Sequence, residues 1–443
     1  MNRSSGRVSA LLVFGLVLAG CATKPRQLMP TPVLYQEPNG QVLFDRLAAE
    51  QQRPEVDLLY ITNRAAEEDP ESSLPYGQTR RKGMVFGSAQ VRMVPGIDWK
   101  TLEAQSRLAE RTREVALELG AVDEMGAFPR EPYKILPTRQ GKLGRDPGEM
   151  REFAETKAAF QGEIQRRLAS SPKKEVMLYV HGFNETFATS AFTAAELCHF
   201  FGRDQVCSFF TWPASSTGNF LISYTTTTES AEYAVDHLKK TLRMIAATPG
   251  VERIQLLAHS RGTAVLLNAL RELMIESIAA GREPADVYRI DNLVLLSPDI
   301  DVDIAGQKIT GFVSDPDLTR AWPNDALPHL LNGRLTIYAS PDDRALLVSR
   351  ILFRSRNRVG QLRPEDIAPE MQTYFGNLGR VDLITFTGER TDLFGHSYFT
   401  TNPKVSSDLV QLIRFGRNPD DPERNLLRTG PATWEFRAEA DVR

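Results

Sequence analysis

Short apolar runs alternating with amphipathic helices predict an α/β fold: a mostly parallel central sheet flanked by helices. Three observations carry this. From residue 175 onward, runs such as Val176–Val180 and Leu293–Leu296 are apolar on nearly every residue, as strands buried on both faces must be. Stretches of helical periodicity separate them. Gly, Pro, Asn and Asp punctuate the joins.

The elements follow in order. Val56–Tyr60 reads as a first strand and Met84–Val94 as a second. Asp98–Gly120 and Gly148–Ala169 read as charged, periodic helices within an insertion or cap spanning 95–174. Then come strand Val176–Val180, helix Thr189–Phe201, strand Val206–Thr211 and helix Glu229–Ala247. Strand Ile254–Leu257, helix Gly262–Ile275 and strands Leu293–Leu296, Leu335–Ala339 and Val381–Phe386 complete the pattern. The domain is expected over 56–417, with a loosely packed, charged tail over 418–443.

The N-terminus is of another kind. Arg3 and Arg7 precede an apolar stretch, Val8–Gly20, of signal-peptide length. It ends in Leu18-Ala19-Gly20-Cys21, which resembles the lipobox of bacterial lipoproteins. That resemblance implies cleavage over 1–20 and a diacylglycerol on Cys21, with several acyl chains giving stable membrane attachment. Ala22, where the sorting rule places aspartate for inner-membrane retention, points to the outer membrane. Residues 21–55 carry Pro25, Pro30, Pro32, Pro38 and Pro54 and read as a tether.

Composition excludes some classes. The net charge is -3, from 53 basic and 56 acidic residues, without a basic stripe, so nucleic acid is not an expected partner. No Cys/His cluster has zinc spacing, so neither metal nor cofactor is expected. Cys198 and Cys207 sit among apolar residues; they read as buried thiols, with a disulfide the alternative in an oxidising compartment.

Chemistry concentrates at Ala258-His259-Ser260-Arg261-Gly262, between the strand Ile254–Leu257 and the helix from Gly262. A nucleophile on a tight strand-to-helix turn needs small residues two before and two after it, and the helix N-terminus behind it favours developing negative charge. Ala214-Ser215-Ser216-Thr217-Gly218 matches the same five-residue pattern. It follows Trp212-Pro213 and leads into Asn219-Phe220, without a direct strand-to-turn join or a helix expected directly behind it, so Ser260 is the candidate nucleophile. Serine needs a base. Of six histidines, His396 follows the last strand, where the base of this order belongs. His199 and His237 lie in helices, His259 sits in the turn itself, and His329 is in a Pro-flanked loop.

The acid should follow Leu335–Ala339, where Asp343 is the first choice and Asp342 the second. Asp299 and Asp301 are outsiders, and Asp392 stands close in sequence to His396. Two amides must receive an oxyanion. The candidates are those of Arg261 and of Phe183, after the strand-end pair His181-Gly182; His181 then supports the loop rather than acting as a base.

In order along the chain stand Tyr60-Ile61-Thr62-Asn63-Arg64, Tyr76-Gly77, His181-Gly182-Phe183-Asn184, Thr211-Trp212-Pro213, the Ser260 motif, Ser297-Pro298-Asp299-Ile300-Asp301, Tyr338-Ala339-Ser340 with Asp343, and Gly395-His396-Ser397-Tyr398. Together they resemble the α/β hydrolases, and among them a bacterial esterase/lipase-like group of unknown substrate. The resemblance runs over about Val56–Arg414, without detail over Pro95–Lys174. It implies a Ser260–Asp343–His396 hydrolase acting on a small-molecule or lipid ester, probed against two rivals: a non-catalytic envelope scaffold and an acyltransferase using the same residues. One departure stands out: Thr225–Thr228 occupy the place of an expected acidic residue after Tyr224.

Overall fold

The computed structural model describes residues 25–36, 42–94, 96–214, 220–311, 314–320, 322, 326–353, 357–388 and 390–437. Cys21 and Ser215–Gly218 of the second serine motif lie outside them. An 11-stranded sheet organises the chain. Its strands are β1 (Glu55–Ala66), β2 (Tyr76–Val94), β3 (Ala116–Ala127), β4 (Glu175–Val180), β5 (Val206–Thr211), β6 (Arg253–His259), β7 (Ile290–Leu296), β8 (Leu335–Ala339), β9 (Val381–Thr385), β10 (Leu426–Arg428) and β11 (Thr433–Phe436). The spatial order is β10-β11-β9-β8-β7-β6-β4-β5-β1-β2-β3. From β11 to β1 every pairing is parallel, while β2, β3 and β10 add antiparallel edges.

Both faces are covered, which is why β4 and β5 are buried at every position. The main helices are α1 (Pro147–Ser170), α2 (Phe187–Phe200), α3 (Phe220–Ala246), α4 (Gly262–Ala279), α5 (Arg344–Phe353), α6 (Pro369–Leu378) and α7 (Pro403–Ile413). One core packs α2 and α7 on the sheet through residues such as Phe187, Leu197, Leu409 and Ile413. The other packs α1, α3 and α4 on the opposite face through Phe160, Leu238 and Leu266. Local chemistry sets the helix starts: Asp146 accepts the amides of Gly148 and Glu149 ahead of Pro147 at the first turn, and Thr186 with Thr189 forms a capping box on α2.

Four expectations are corrected. The charged stretch 98–120 is not one helix. A short helix, Trp99–Gln105, gives way to β3, where buried Leu117 and half-buried Leu119 flank exposed Glu118 at the sheet edge. Of the expected insertion or cap, the second helix forms as α1 and lies against the sheet face through Phe160, Ile164 and Leu168. The expected tether is not free over its described part. Leu28, Met29, Tyr35, Phe44 and Leu47 are buried, Leu28 donates its amide to Val115, and Arg26 pairs with Glu196 at 2.6 Å. The prolines there hide a set of apolar anchors between them. Nor is the tail loose: β10 and β11 extend the sheet, and buried Arg424 makes two bonds to Asp408, at 2.7 and 2.8 Å.

Cys198 and Cys207 are joined as a disulfide between α2 and β5, not kept as thiols. The bridge closes a sequence separation of 9 residues, a short loop whose cross-link is worth about 2–3 kcal/mol. Reductant, or Cys198→Ala with Cys207→Ala, should lower the denaturant midpoint accordingly. An unchanged midpoint would show that the bridge does not form in solution.

Candidate active site

The parallel register fixes the site. Val180 pairs with Ala258, His259 with Leu296, Leu296 with Tyr338, and Ala339 with Thr385. The strands β4, β6, β7, β8 and β9 therefore end on one rim. The residues just past that rim are His181-Gly182-Phe183, Ser260, Ser297, Ser340–Asp343 and the loop that reaches His396. After β5 the chain crosses β4 to start β6 on its other side, so the gap between β4 and β6 is a switch point, where open α/β sheets leave a crevice.

Ser260 sits in this crevice with φ 51°, a left-handed conformation that a non-glycine residue adopts only when its surroundings impose it. The surroundings are specific. Its amide donates to Leu296, and its carbonyl accepts from the Thr263 amide and hydroxyl and from the Asp299 amide. The turn closes tightly because two glycines allow it. A Cβ on Gly262 would stand 2.3 Å from the His181 carbonyl oxygen, and one on Gly182 would stand 2.7 Å from Ser260 Cβ. Helix α4 begins directly behind the serine.

Gly182→Ala should therefore push Ser260 and the His181 loop apart. A displacement near 1 Å costs about 100-fold in rate, so kcat/KM should fall by about that factor while the protein still folds. Full activity in this variant would mean that the loop does not line the reacting centre.

His396 and Asp343 meet across the rim. The imidazole Nδ1 lies 2.6 Å from Asp343 Oδ2. Asp343 is buried and its other oxygen accepts the Leu346 amide in the first turn of α5. Its neighbour Asp342 is exposed, so the acid in contact with the histidine is the first of the two candidates. Burial by itself lowers the affinity of His396 for a proton, but the charge and hydrogen bond of Asp343, with Asp299 and Asp392 farther off, outweigh it and raise its pKa above the ordinary value.

Asp392 does not reach the imidazole. Its carboxylate accepts the amides of Phe394, Gly395, His396 and Ser397 and so shapes the loop. Ser297 Oγ donates to the His396 carbonyl at 3.0 Å, tying this loop to the end of β7 beside Ser260. Asp299 is turned to Ser349 Oγ, at 2.7 Å, and to Arg358, at 3.3 Å. Asp301 caps a short helix through the amides of Asp303 and Ile304.

His181 and His259 are buried beside this pair. His181 is fully buried, stacked on Trp212, and accepts the Trp212 amide at Nε2 while Nδ1–H donates to Gly182 O. Burial, followed by the charge of Arg64, holds it well below the ordinary range and hence neutral. It supports the loop, as expected. His259 is likewise held low, by burial and then by His396, and donates Nε2–H to the His396 carbonyl at 3.3 Å. Two arginines had no role assigned from the sequence. Buried Arg64 ties β1 to this loop by donating to Thr211 Oγ1, Gly77 O and Glu185 O. Buried Arg358 leans on Phe353, at 4.9 Å from the ring centroid, and Arg261 approaches the same ring at 5.3 Å. Thr228, in the run that replaces an expected acid, accepts from Arg261 Nη2 at 3.2 Å. Phe183 is half-buried beside Gly182.

A strand-to-helix serine, a loop glycine against it, and an Asp–His pair on the same rim are what a nucleophile, an oxyanion loop and a base require. The family model "Alpha/beta hydrolase of unknown function (DUF900)" matches residues 156–414, which hold all of them. The chain belongs to this family. No curated protein matches it. Among solved structures, this α/β hydrolase is similar to LpqC, a poly(3-hydroxybutyrate) depolymerase from Bordetella parapertussis, at 16% identity and a TM-score of 0.32, over 57% of this chain and 83% of the other. It is also similar to the Pyrococcus furiosus esterase Pf2001, at 16% identity and a TM-score of 0.26, over 50% and 74%.

Proposed function

We propose that this α/β hydrolase is a serine hydrolase that cleaves a carboxylic ester through an acyl-enzyme. Ser260 Oγ attacks the ester carbonyl as His396 Nε2 takes its proton. Asp343 orients the imidazole and offsets its charge. The amides of Phe183 and Arg261 receive the oxyanion, next to the N-terminus of α4. His396 then passes the proton to the leaving alcohol, and water repeats the sequence on the acyl-serine. The observation that carries this reading is the 2.6 Å contact of His396 Nδ1 with Asp343 at the rim where Ser260 holds φ 51°.

The reading includes attachment to the cell envelope through a lipid on Cys21, on the periplasmic side of the outer membrane. The Leu18-Ala19-Gly20-Cys21 sequence supports it. So does the Cys198–Cys207 disulfide, since such bonds persist in oxidising compartments. Among the described residues no helix is long and apolar enough to cross a membrane. A fluorophosphonate probe should label the wild-type protein, and Ser260→Ala should remove the label. Labelling that persists in the variant would overturn the assignment, and absence of labelling in the wild type would favour a non-catalytic scaffold.

A further inference from the structure

Helix α5 starts at the triad acid and runs outward. Its inner side, Leu346 and Ser349, is buried. A helix buried on one side normally turns charge to solvent on the other. This one turns Leu347, Val348 and Ile351 outward, spaced i, i+1, i+4 on one face, with Ile351 69% exposed. The loop before His396 continues the apolar surface with Leu393, 80% exposed, and Phe394. The two pieces are joined, because the Arg344 amide donates to the Phe394 carbonyl at 2.9 Å.

Beside this surface opens a polar cleft of about 970 Å³. Arg344, Arg350, Arg363 and Arg390 line it, with Asp342 and Asp343 among the acids. Its acids are Asp342, Asp343, Glu365 and Asp366, of which Asp342 is exposed. Asp343 holds His396, Asp366 accepts the Arg363 amide, and Glu365 lies 3.8 Å from Arg363. The guanidinium groups of Arg344, Arg350 and Arg390 make no hydrogen bond or ion pair with any described residue. A separate apolar cavity of about 490 Å³, against Ile337 and Leu383 on the sheet face, includes none of the Ser260, Asp343 and His396 set.

Exposed apolar side chains at a rim, next to unpaired arginines around a polar cleft, match one chemistry: the surface of an anionic lipid layer, which offers phosphates at one depth and acyl chains just below. Resting on the ester-hydrolase reading, we propose that α5 and the 390–395 loop dock this enzyme on anionic lipid, with Leu347, Val348, Ile351, Leu393 and Phe394 entering the interface and Arg344, Arg350 and Arg390 taking headgroup phosphates. The docked face adjoins Asp343 and His396, so the substrate class would be a lipid ester presented at that surface.

The test is co-sedimentation of the chain from Ala22 onward, which contains every described residue and no acylated cysteine. Vesicles of phosphatidylglycerol are compared with vesicles of phosphatidylcholine at fixed ionic strength. The wild type should bind phosphatidylglycerol at least tenfold more tightly than phosphatidylcholine. Arg344→Gln with Arg350→Gln should weaken that binding about 30-fold, from the known worth of a basic residue at an anionic surface. Ile351→Ser with Leu393→Ser should abolish it, and unchanged melting temperatures would show that both variants fold. Equal binding to the two lipids, no binding to either, or unaltered binding by the arginine variant would overturn the proposal. So would dimerisation through this face in light scattering. Turnover of a water-soluble p-nitrophenyl ester is measured in parallel. Its absence would sink the hydrolase reading while leaving lipid docking to stand or fall on the vesicles.

Discussion

Replacing Ser260 with alanine should cut ester turnover by about 10⁴- to 10⁶-fold, the range found when a hydrolase loses a nucleophile that works as a unit with its base. The fold should survive, because Ser260 is held by its backbone. Its amide and carbonyl bonds to Leu296, Thr263 and Asp299 do not use the hydroxyl. Alanine in a left-handed conformation costs what serine costs, so the strain at φ 51° is unchanged. The measurement is kcat/KM on p-nitrophenyl esters of increasing chain length, with a thermal melt as the control for folding. Loss of activity together with an unshifted melt isolates the hydroxyl as the reacting group. Turnover retained within about tenfold of the wild type would move the chemistry elsewhere on the rim. If transfer to an acceptor competes with hydrolysis, the same variant loses both, and product analysis of the wild type separates them.

The parallel sheet and the rim that carries the candidate site were legible because their signals are local. Fully buried strands such as Val176–Val180 can only be apolar throughout, and a serine between such a strand and a helix declares its turn. Chain order then assigned Asp343 and His396 their places. What stayed illegible depends on contacts far apart in sequence. Nothing near Leu28 or Tyr35 says that Val115 and Arg414 will receive them. The strand β3 hid inside a charged stretch because an edge strand may carry charge at its alternate positions, imitating a helix surface. Asp342 and Asp343 are adjacent and chemically alike, and only the direction of the turn into α5 sends one to His396 and the other to solvent. Arg64 and Asp392 act by holding backbone, a task that no local pattern advertises.

Asp343→Asn should lower kcat by about 10⁴-fold, the scale set when an amide replaces the acid that fixes the histidine tautomer. It should also move the pH profile in a direction that separates orientation from simple damage. His396 works as a base only when neutral, so kcat/KM falls as pH drops through its pKa. Burial pulls that pKa down, while Asp343, the largest of the opposing influences, raises it above the ordinary value. The acidic limb of the wild type should accordingly lie above the ordinary histidine pKa. Asparagine fills the same space and keeps a hydrogen bond to Nδ1, but it removes the negative charge. Burial is then opposed only by the more distant Asp299 and Asp392, and the limb should shift to lower pH as the rate falls. An Asp342→Asn variant, altered at an exposed position, should leave both rate and limb in place. A rate loss without a shift of the acidic limb would mean that Asp343 positions the loop without acting on the imidazole's charge. A loss in the Asp342 variant instead would show that the two carboxylates exchange roles in solution.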